Sequence, residues 1–125
     1  SGNTIFNNIF RSSNKIGGYI PNTPWDVPIT SDTLLFNFND SSTSGTYYAN
    51  VSAGIDGQKL NLIFNNSNVS NFINVIADFG TDKLLVGSGI ANALKFDTHG
   101  QSSSLIYLSE NINAWQVLNT GAAIL

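Results

Sequence analysis

Short blocks of apolar residues, separated by Gly, Asn, Ser, Asp and Pro, run along the chain with almost no helical period. In "LLFNFN", Leu34, Phe36 and Phe38 recur at every second position and would share one face of a strand. Short strands spaced about ten residues apart, with turn residues between them, are typical of antiparallel sandwiches and jelly rolls. The pattern therefore predicts an all-β protein, an antiparallel β-sandwich or jelly roll, with residues 1–125 in a single domain. The predicted strands are Thr4–Phe10, Thr33–Phe38, Thr46–Val51, Lys59–Phe64, Phe72–Ala77, Lys83–Val86, Ala93–Phe96, Ser104–Leu108, Ala114–Leu118 and a last block at Ala122–Leu125.

Two segments depart from this pattern. In "GYIPNTPWDVPIT", each of the three prolines removes a backbone donor and favours an extended conformation in the residue before it. We expect Gly18–Ile29 to be an extended segment outside the strand ladders, crossing the sandwich or reaching a neighbour. The one candidate helix is a turn or two near Ser88–Asn92.

The chain contains one phrase twice, forty-three residues apart. "GQKLNLIFNN" begins at Gly57 and "GQSSSLIYLSEN" at Gly100, and both continue from Gly-Gln through three free positions to Leu-Ile-aromatic. The structural interpretation is that each Gly supplies a special backbone angle and that Gln58 and Gln101 cap a turn through their amides. The functional alternative is that the two glutamines bind a ligand. We favour the structural interpretation because strand starts are far more common than paired glutamine sites.

The charges and the composition exclude several classes of protein. Only 10% of residues are charged and the net charge is −3, so the basic stripe that nucleic acid requires is absent. No run of about 18 apolar residues is present, so we expect no membrane insertion. The chain has no cysteine, which rules out disulfides and thiol chemistry.

The residue types that carry catalysis are scarce. A catalytic histidine needs an orienting partner and a nucleophile, and this chain has one histidine and eight scattered carboxylates. We therefore expect a protein that is not an enzyme and that uses no cofactor. Asp97 and His99 would lie on one side of a strand and could form a metal pair. The favoured alternative is an exposed turn histidine, and hence no metal site.

Sugar binding is a more specific hypothesis than catalysis or metal binding, because aromatic faces combined with Asn and Asp side chains hold glycans. The candidate ligand-binding residues are Trp25, Tyr47 and Tyr48. Adjacent Tyr47 and Tyr48 must point to opposite faces of a strand, so we expect one of them outside. Trp25 lies between prolines, which favours exposure or a subunit contact. Trp115 lies in an apolar strand and is expected in the core.

From Gly57 onward the chain resembles the terminal head domains of viral fibres and phage tail fibres. In that pattern a Gly-Gln strand start leads to an apolar strand with an Asn-rich turn, a later Gly-Gln-Ser precedes a Leu-Ile-aromatic strand, and a Trp follows. The matching positions are Gly57, Gln58, Leu62, Asn65, Gly100, Gln101, Ser102, Leu105, Ile106, Tyr107 and Trp115. The resemblance implies a homotrimeric, all-β head domain at the virion surface, outside cells, that attaches to a glycan or protein receptor on the host.

Several alternatives to a fibre head stay open. The same sandwich could be a minor capsid or cement protein, with the proline segment as an arm, or a carbohydrate-binding module; a hydrolase is the most distant alternative. The C-terminal residues Ala122, Ala123, Ile124 and Leu125 are apolar where chain ends usually meet water. They could form a last edge strand of the protein's own sheet or pack against the same tail of other subunits. The resemblance to fibre heads favours the second, and these four are the candidate assembly residues.

Overall fold

The computed structural model describes residues 21–27, 32–38, 44–67, 72–109 and 113–125. These residues contain no helix and form eleven strands. The predicted strand Thr4–Phe10 lies outside them. The strands are β1 (Trp25–Asp26), β2 (Thr33–Asn37), β3 (Gly45–Asn50), β4 (Lys59–Asn65), β5 (Ile73–Asp78), β6 (Leu84–Val86), β7 (Gly89–Ala91), β8 (Ala93–Phe96), β9 (Ser102–Leu108), β10 (Ala114–Thr120) and β11 (Ala123–Ile124).

The strands form two packed sheets, and the predicted all-β sandwich is confirmed. One sheet has five strands in the order β1-β3-β5-β8-β11, and the other has six in the order β2-β4-β9-β10-β6-β7. The predicted antiparallel pairing is only partly right, because β1 with β3, β3 with β5, β2 with β4, and β6 with β10 pair in parallel. From β1 to β5 the chain changes sheet at every connection, so neighbours within a sheet are two reversals apart and run the same way.

Alternation along each strand builds the core between the sheets. In β4, Leu60, Leu62 and Phe64 are buried while the residues between them face outward. Phe38 packs on Tyr47 with ring centroids 4.7 Å apart and on Phe64 at 6.0 Å. Each such buried side chain contributes roughly 1.5–3 kcal/mol relative to an exposed one.

The proline-containing segment corrects the sequence interpretation. Within residues 21–27 the chain is an edge of the five-stranded sheet, and β1 lies parallel to β3 with Trp25 opposite Ala49. The Asn22 N–H donates to Thr46 O at 2.8 Å, and the Val27 N–H donates to Asn50 O at 2.9 Å. The expectation of a segment outside the ladders is therefore wrong here, because an edge strand needs only alternate donors and tolerates proline. The remainder of Gly18–Ile29 lies outside the described residues.

The helix expected near Ser88–Asn92 is also wrong. Strands β6 and β7 form an antiparallel hairpin in which Val86 pairs with Gly89, leaving a two-residue turn at Gly87-Ser88. Gly87 has φ of 60°, the left-handed conformation that a type II′ hairpin turn requires at its first central position. Gly87 is thus the residue that allows the chain to reverse between β6 and β7.

The repeated phrase builds the same turn twice. Gly57 (φ 82°) and Gly100 (φ 90°) take the third position of two turns, where a type II turn requires positive φ. Each turn closes through a backbone hydrogen bond, from Gln58 N–H to Ile55 O at 2.9 Å and from Gln101 N–H to Thr98 O at 3.1 Å. The side-chain Oε1 of each glutamine accepts from the first N–H of its own turn, at 3.0 Å and 2.9 Å respectively. The capping role predicted for Gln58 and Gln101 is confirmed.

The two copies also pair with each other. Strands β4 and β9 are antiparallel neighbours, and Asn61 lies opposite Ser104, its equivalent in the other copy. The pairing is therefore related by a local twofold axis. The Gly57 N–H donates to Tyr107 O at 2.8 Å, and the Gly100 N–H donates to Phe64 O at 2.9 Å. Each copy's turn thus holds the aromatic end of the other copy's strand.

The second residue of each turn completes the symmetry. Asp56 Oδ1 accepts from the Ser109 N–H at 3.0 Å, and His99 Nδ1 accepts from the Asn66 N–H at 2.9 Å. Asp56 and His99 occupy equivalent positions, as do Ser109 and Asn66. An acidic residue and a histidine therefore have the same role. Each accepts a hydrogen bond from a backbone N–H just past the end of the other copy's strand.

Candidate functional site

The three aromatic residues predicted to bind ligand do not converge on one surface. Tyr47 is 1% exposed and packs on Phe38 inside the sandwich, so its candidacy is wrong. Burial raises the pKa of the Tyr47 phenol above its ordinary value, because the charged form is poorly solvated there. Sequence alternation correctly placed one of the two tyrosines outside, and that residue is Tyr48.

Trp25 serves the core rather than an open surface. It is half-buried, packs against the edge of the hydrophobic core, and meets Phe36 edge to face with centroids 6.3 Å apart. The expected exposed loop position is therefore wrong, because β1 lies on the sheet edge and brings the indole inward beside Ala49. Of the predicted set, only Tyr48 lies on an outer face of the sandwich.

Tyr48 lies on the outer face of the five-stranded sheet, which we call the Tyr48 face. Outward residues alternate with core residues along β3, β5 and β8. In register, Tyr48 is opposite Ile76, and Ile76 is opposite Lys95. A second row runs from Asp26 through Asn50 to Asp78. The Tyr48 face consists of Asp26, Thr46, Tyr48, Asn50, Asn74, Ile76, Asp78 and Lys95.

The polar groups of the Tyr48 face have few protein partners. Among the described residues, the side chains of Thr46, Tyr48, Asn50, Asn74 and Lys95 form no hydrogen bond or ion pair with the protein. Asp78 is engaged, because its Oδ1 accepts from the Gly80 N–H at 2.9 Å. A flat phenol ring thus stands among amide and hydroxyl groups that can donate and accept without first breaking an internal hydrogen bond.

The outer face of the other sheet, which we call the six-stranded outer face, is built differently. Its outward residues are Thr33, Leu35, Asn37, Lys59, Asn61, Ile63, Asn65, Leu85, Ile90, Ser102, Ser104, Ile106, Leu108, Gln116 and Asn119. Asn61 Nδ2 donates to Asp32 O at 3.2 Å, and Asn61 Oδ1 accepts from Ser104 Oγ at 2.9 Å. The amide of Gln116 donates to Leu85 O at 3.3 Å. Most amides of this face therefore tie neighbouring strands together.

Phe72 extends the Tyr48 face at one end. It directly precedes β5, and its carbonyl accepts from the Gly45 N–H at 2.9 Å, so the ladder with β3 reaches this residue. Strand alternation places Phe72 on the same side as Asn74. Its side chain is 81% exposed. The sequence pattern predicts Phe72 as a strand residue but not as an exposed one, although Phe72 shares one side of the strand with the polar residue Asn74, which was a signal for exposure.

A cleft of about 430 Å³ opens where several strands end, and it is the weaker candidate. Its lining residues are Val51, Ser52, Ala53, Phe79, Lys83, Tyr107, Asn113 and Trp115. Trp115 donates from Nε1 to Ser52 O at 3.0 Å and packs edge-on against Tyr107 at 5.1 Å. Trp115 is 1% exposed, as expected for a core residue, so its ring offers almost no surface for stacking.

Both side chains of the candidate metal pair accept hydrogen bonds from the protein. His99 Nδ1 accepts a backbone hydrogen bond, and Asp97 Oδ1 accepts from Thr98 Oγ1 at 3.0 Å. Within the described ranges no group of three or more His, Cys, Asp or Glu side chains is arranged to hold a metal ion. The turn-histidine interpretation matches the hydrogen bonding of His99.

The C-terminal tail forms a strand of the protein's own sheet. Strand β11 pairs with β8, and the Leu125 N–H donates to Ala93 O at 2.9 Å. Ala122 is buried in the core, so it is not free to serve assembly. Ala123, Ile124 and Leu125 are exposed. Of the two arrangements expected for the tail, the structure contains the edge strand of the protein's own sheet. The backbone after Thr120 turns back and completes the five-stranded sheet.

No family model matches the chain, and no curated protein matches its sequence. The resemblance to fibre heads therefore stays a prediction. No helix long and apolar enough to cross a membrane is present in the part of the chain that the structure describes.

Proposed function

We propose that this chain is a non-enzymatic glycan-binding domain that uses the Tyr48 face, and that it serves as the head domain of a viral fibre. The observation that carries the binding proposal is that Tyr48, Thr46, Asn50 and Asn74 have no side-chain hydrogen bond among the described residues. Sugars present apolar C–H faces that stack on an aromatic ring and hydroxyl groups that pair with amides. The Tyr48 face offers both kinds of contact side by side.

Assignment to a viral fibre is supported by the paired Gly-Gln phrases and the Trp that follows them. A homotrimer, a position on the virion surface and a host receptor belong to the same proposal. The alternative of a cement protein predicts a monomer that becomes ordered in a particle. Light scattering of the isolated protein separates the two, since a head domain gives three times the monomer mass.

A second candidate function, glycoside hydrolysis, has one observation in its favour. Asp26 and Asp78 flank Asn50 in one row, two strands apart, which is roughly 9–10 Å between Cα atoms. Inverting glycosidases hold their two carboxyl groups about 6.5–9.5 Å apart. Both carboxylates are exposed on an open face, however, and Asp78 Oδ1 already accepts a hydrogen bond from the Gly80 N–H. We therefore favour glycan binding over hydrolysis. Release of reducing sugar from a bound glycan would instead support hydrolysis.

Glycan-array binding tests the proposal. The wild-type protein should bind a subset of glycans, and Tyr48→Ala and Asn74→Ala should each lose that binding while keeping the far-ultraviolet circular dichroism spectrum. Asn119→Ala is the matched control, because Asn119 is exposed on the six-stranded outer face and its side chain makes no hydrogen bond with described residues. Equal binding by wild type and Tyr48→Ala would locate the site elsewhere.

A further inference from the structure

The Tyr48 face and Phe72 together present two aromatic side chains on one side of one sheet. Phe72 stands one residue before β5, and Tyr48 lies in β3 opposite Ile76. Phe72 and Ile76 are four positions apart in the direction of β5, which is roughly 13 Å at the rise of a strand, and β3 lies one strand spacing to the side. The two rings are thus farther apart than a single sugar ring can bridge.

Hydrogen-bonding groups fill the space between the rings. Thr46 and Asn74 are directly opposite each other in the register of β3 and β5, and both point outward. Neither side chain has a hydrogen-bond partner among the described residues. A chain of sugars that lies over Phe72 and Tyr48 would place its middle units over this hydroxyl and this amide.

The charges of the face select against acidic sugars. Two carboxylates, Asp26 and Asp78, and one ammonium group, Lys95, belong to the Tyr48 face. The whole chain also carries a net charge of −3. Repulsion between like charges disfavours a ligand rich in carboxylates or sulfates.

We infer that the ligand is a linear, neutral oligosaccharide that runs along β3 and β5, with one sugar on Phe72 and another on Tyr48. This inference rests on the proposed function of the Tyr48 face. It assigns Phe72 as a residue that selects ligand length, because only a chain that reaches past Thr46 and Asn74 contacts it.

Calorimetric titration with oligosaccharides of increasing length tests the inference. The probes are three neutral series, of β-1,4-linked glucose, N-acetylglucosamine and mannose, each from the monosaccharide to the hexasaccharide. Affinity in at least one series should rise with length and then level off. Phe72→Ala should weaken the long members about tenfold and leave the short ones unchanged, as expected for loss of one aromatic contact.

Two variants complete the design. Tyr48→Ala should weaken every member of the bound series, since both short and long chains contact Tyr48. Ile55→Ala is the control for loss of an exposed apolar side chain, because Ile55 is 76% exposed and lies in the Gly57 turn. It should bind every member like the wild type.

The outcomes separate the inference from the function on which it rests. Binding that is independent of length, or insensitive to Phe72→Ala, overturns the inference and leaves glycan binding intact. The same holds if the three series fail while acidic glycans bind on the array. If no glycan binds in either experiment, the proposed function falls together with the inference.

Discussion

The two outer faces of this sandwich carry the same residue types but differ in their hydrogen bonding. On the six-stranded outer face, Asn61 and Gln116 bond to the backbone of neighbouring strands, and Asn61 also accepts from Ser104. On the Tyr48 face, Asn50 and Asn74 have no such partner among the described residues. An amide that already bonds within the protein must lose that bond to hold a ligand, whereas a solvated amide exchanges only water. Amide content therefore does not distinguish the two faces, whereas the hydrogen-bond partners of the amides do.

Substitution of the adjacent residues Tyr47 and Tyr48 should give the largest difference in the free energy of unfolding. Tyr47→Ala should lower the free energy of unfolding by about 3–5 kcal/mol, because it empties a packed site beside Phe38. Tyr48→Ala should cost less than about 1 kcal/mol, since the side chain lies on the outer face. Urea denaturation of both variants measures the difference. Similar losses for the two would mean that the Tyr48 face supports the fold rather than a ligand.

Substitutions in the turns that precede β4 and β9 should give the second-largest change in the free energy of unfolding. Gly57→Ala and Gly100→Ala should each cost about 1–3 kcal/mol, because a Cβ at these φ angles is strained even though nothing lies within 4 Å of it. Gly121→Ala is the control, since its backbone is outside the positive-φ region and the nearest atom to its Cβ would be 3.7 Å away. Thermal unfolding should show two shifted midpoints and an unshifted control; an unshifted Gly100→Ala would remove the turn geometry as the reason for the repeat.

The smallest expected difference in the free energy of unfolding is between substitutions of two asparagines, one on each outer face. Asn61→Ala should lower the free energy of unfolding by about 1–2 kcal/mol through loss of its bonds to Asp32 and Ser104. Asn74→Ala should change it by less than about 0.5 kcal/mol. Chemical denaturation curves recorded side by side would detect the difference. If Asn74→Ala were the more damaging substitution, the distinction between the two faces would not hold.

Removal of the C-terminal tail should affect the fold of the domain and not only its assembly. Removal of residues after Asn119 takes away β11 and the buried Ala122, so we expect it to destabilise the domain itself. Loss of a folded monomer, seen as a collapsed sheet signal in circular dichroism, would agree with the edge-strand role.

Much of the strand pattern could be predicted because alternation is a local property. The block at Lys59–Phe64 matches β4 within one residue, and Ala93–Phe96 matches β8 at both ends. The segment around Trp25 could not be placed, because its two strand residues depend on hydrogen bonds to β3 rather than on their own pattern. The inward positions of Tyr47 and Trp25 could not be predicted for the same reason, since which side of a strand faces the core is set by the opposing sheet.

What the sequence by itself determined is the all-β class, most strand positions and the two Gly-Gln turns, because backbone propensities and period-two alternation act over a few residues. Only the tertiary structure decided that the strands pair partly in parallel and that the two repeated phrases pair with each other about a local axis. It also decided that most amides of the six-stranded outer face bond to neighbouring strands, whereas Asn50 and Asn74 have no such partner among the described residues. These features depend on which strands become neighbours after the chain has crossed between sheets. Contacts between residues far apart in sequence leave no trace in the local pattern of either partner.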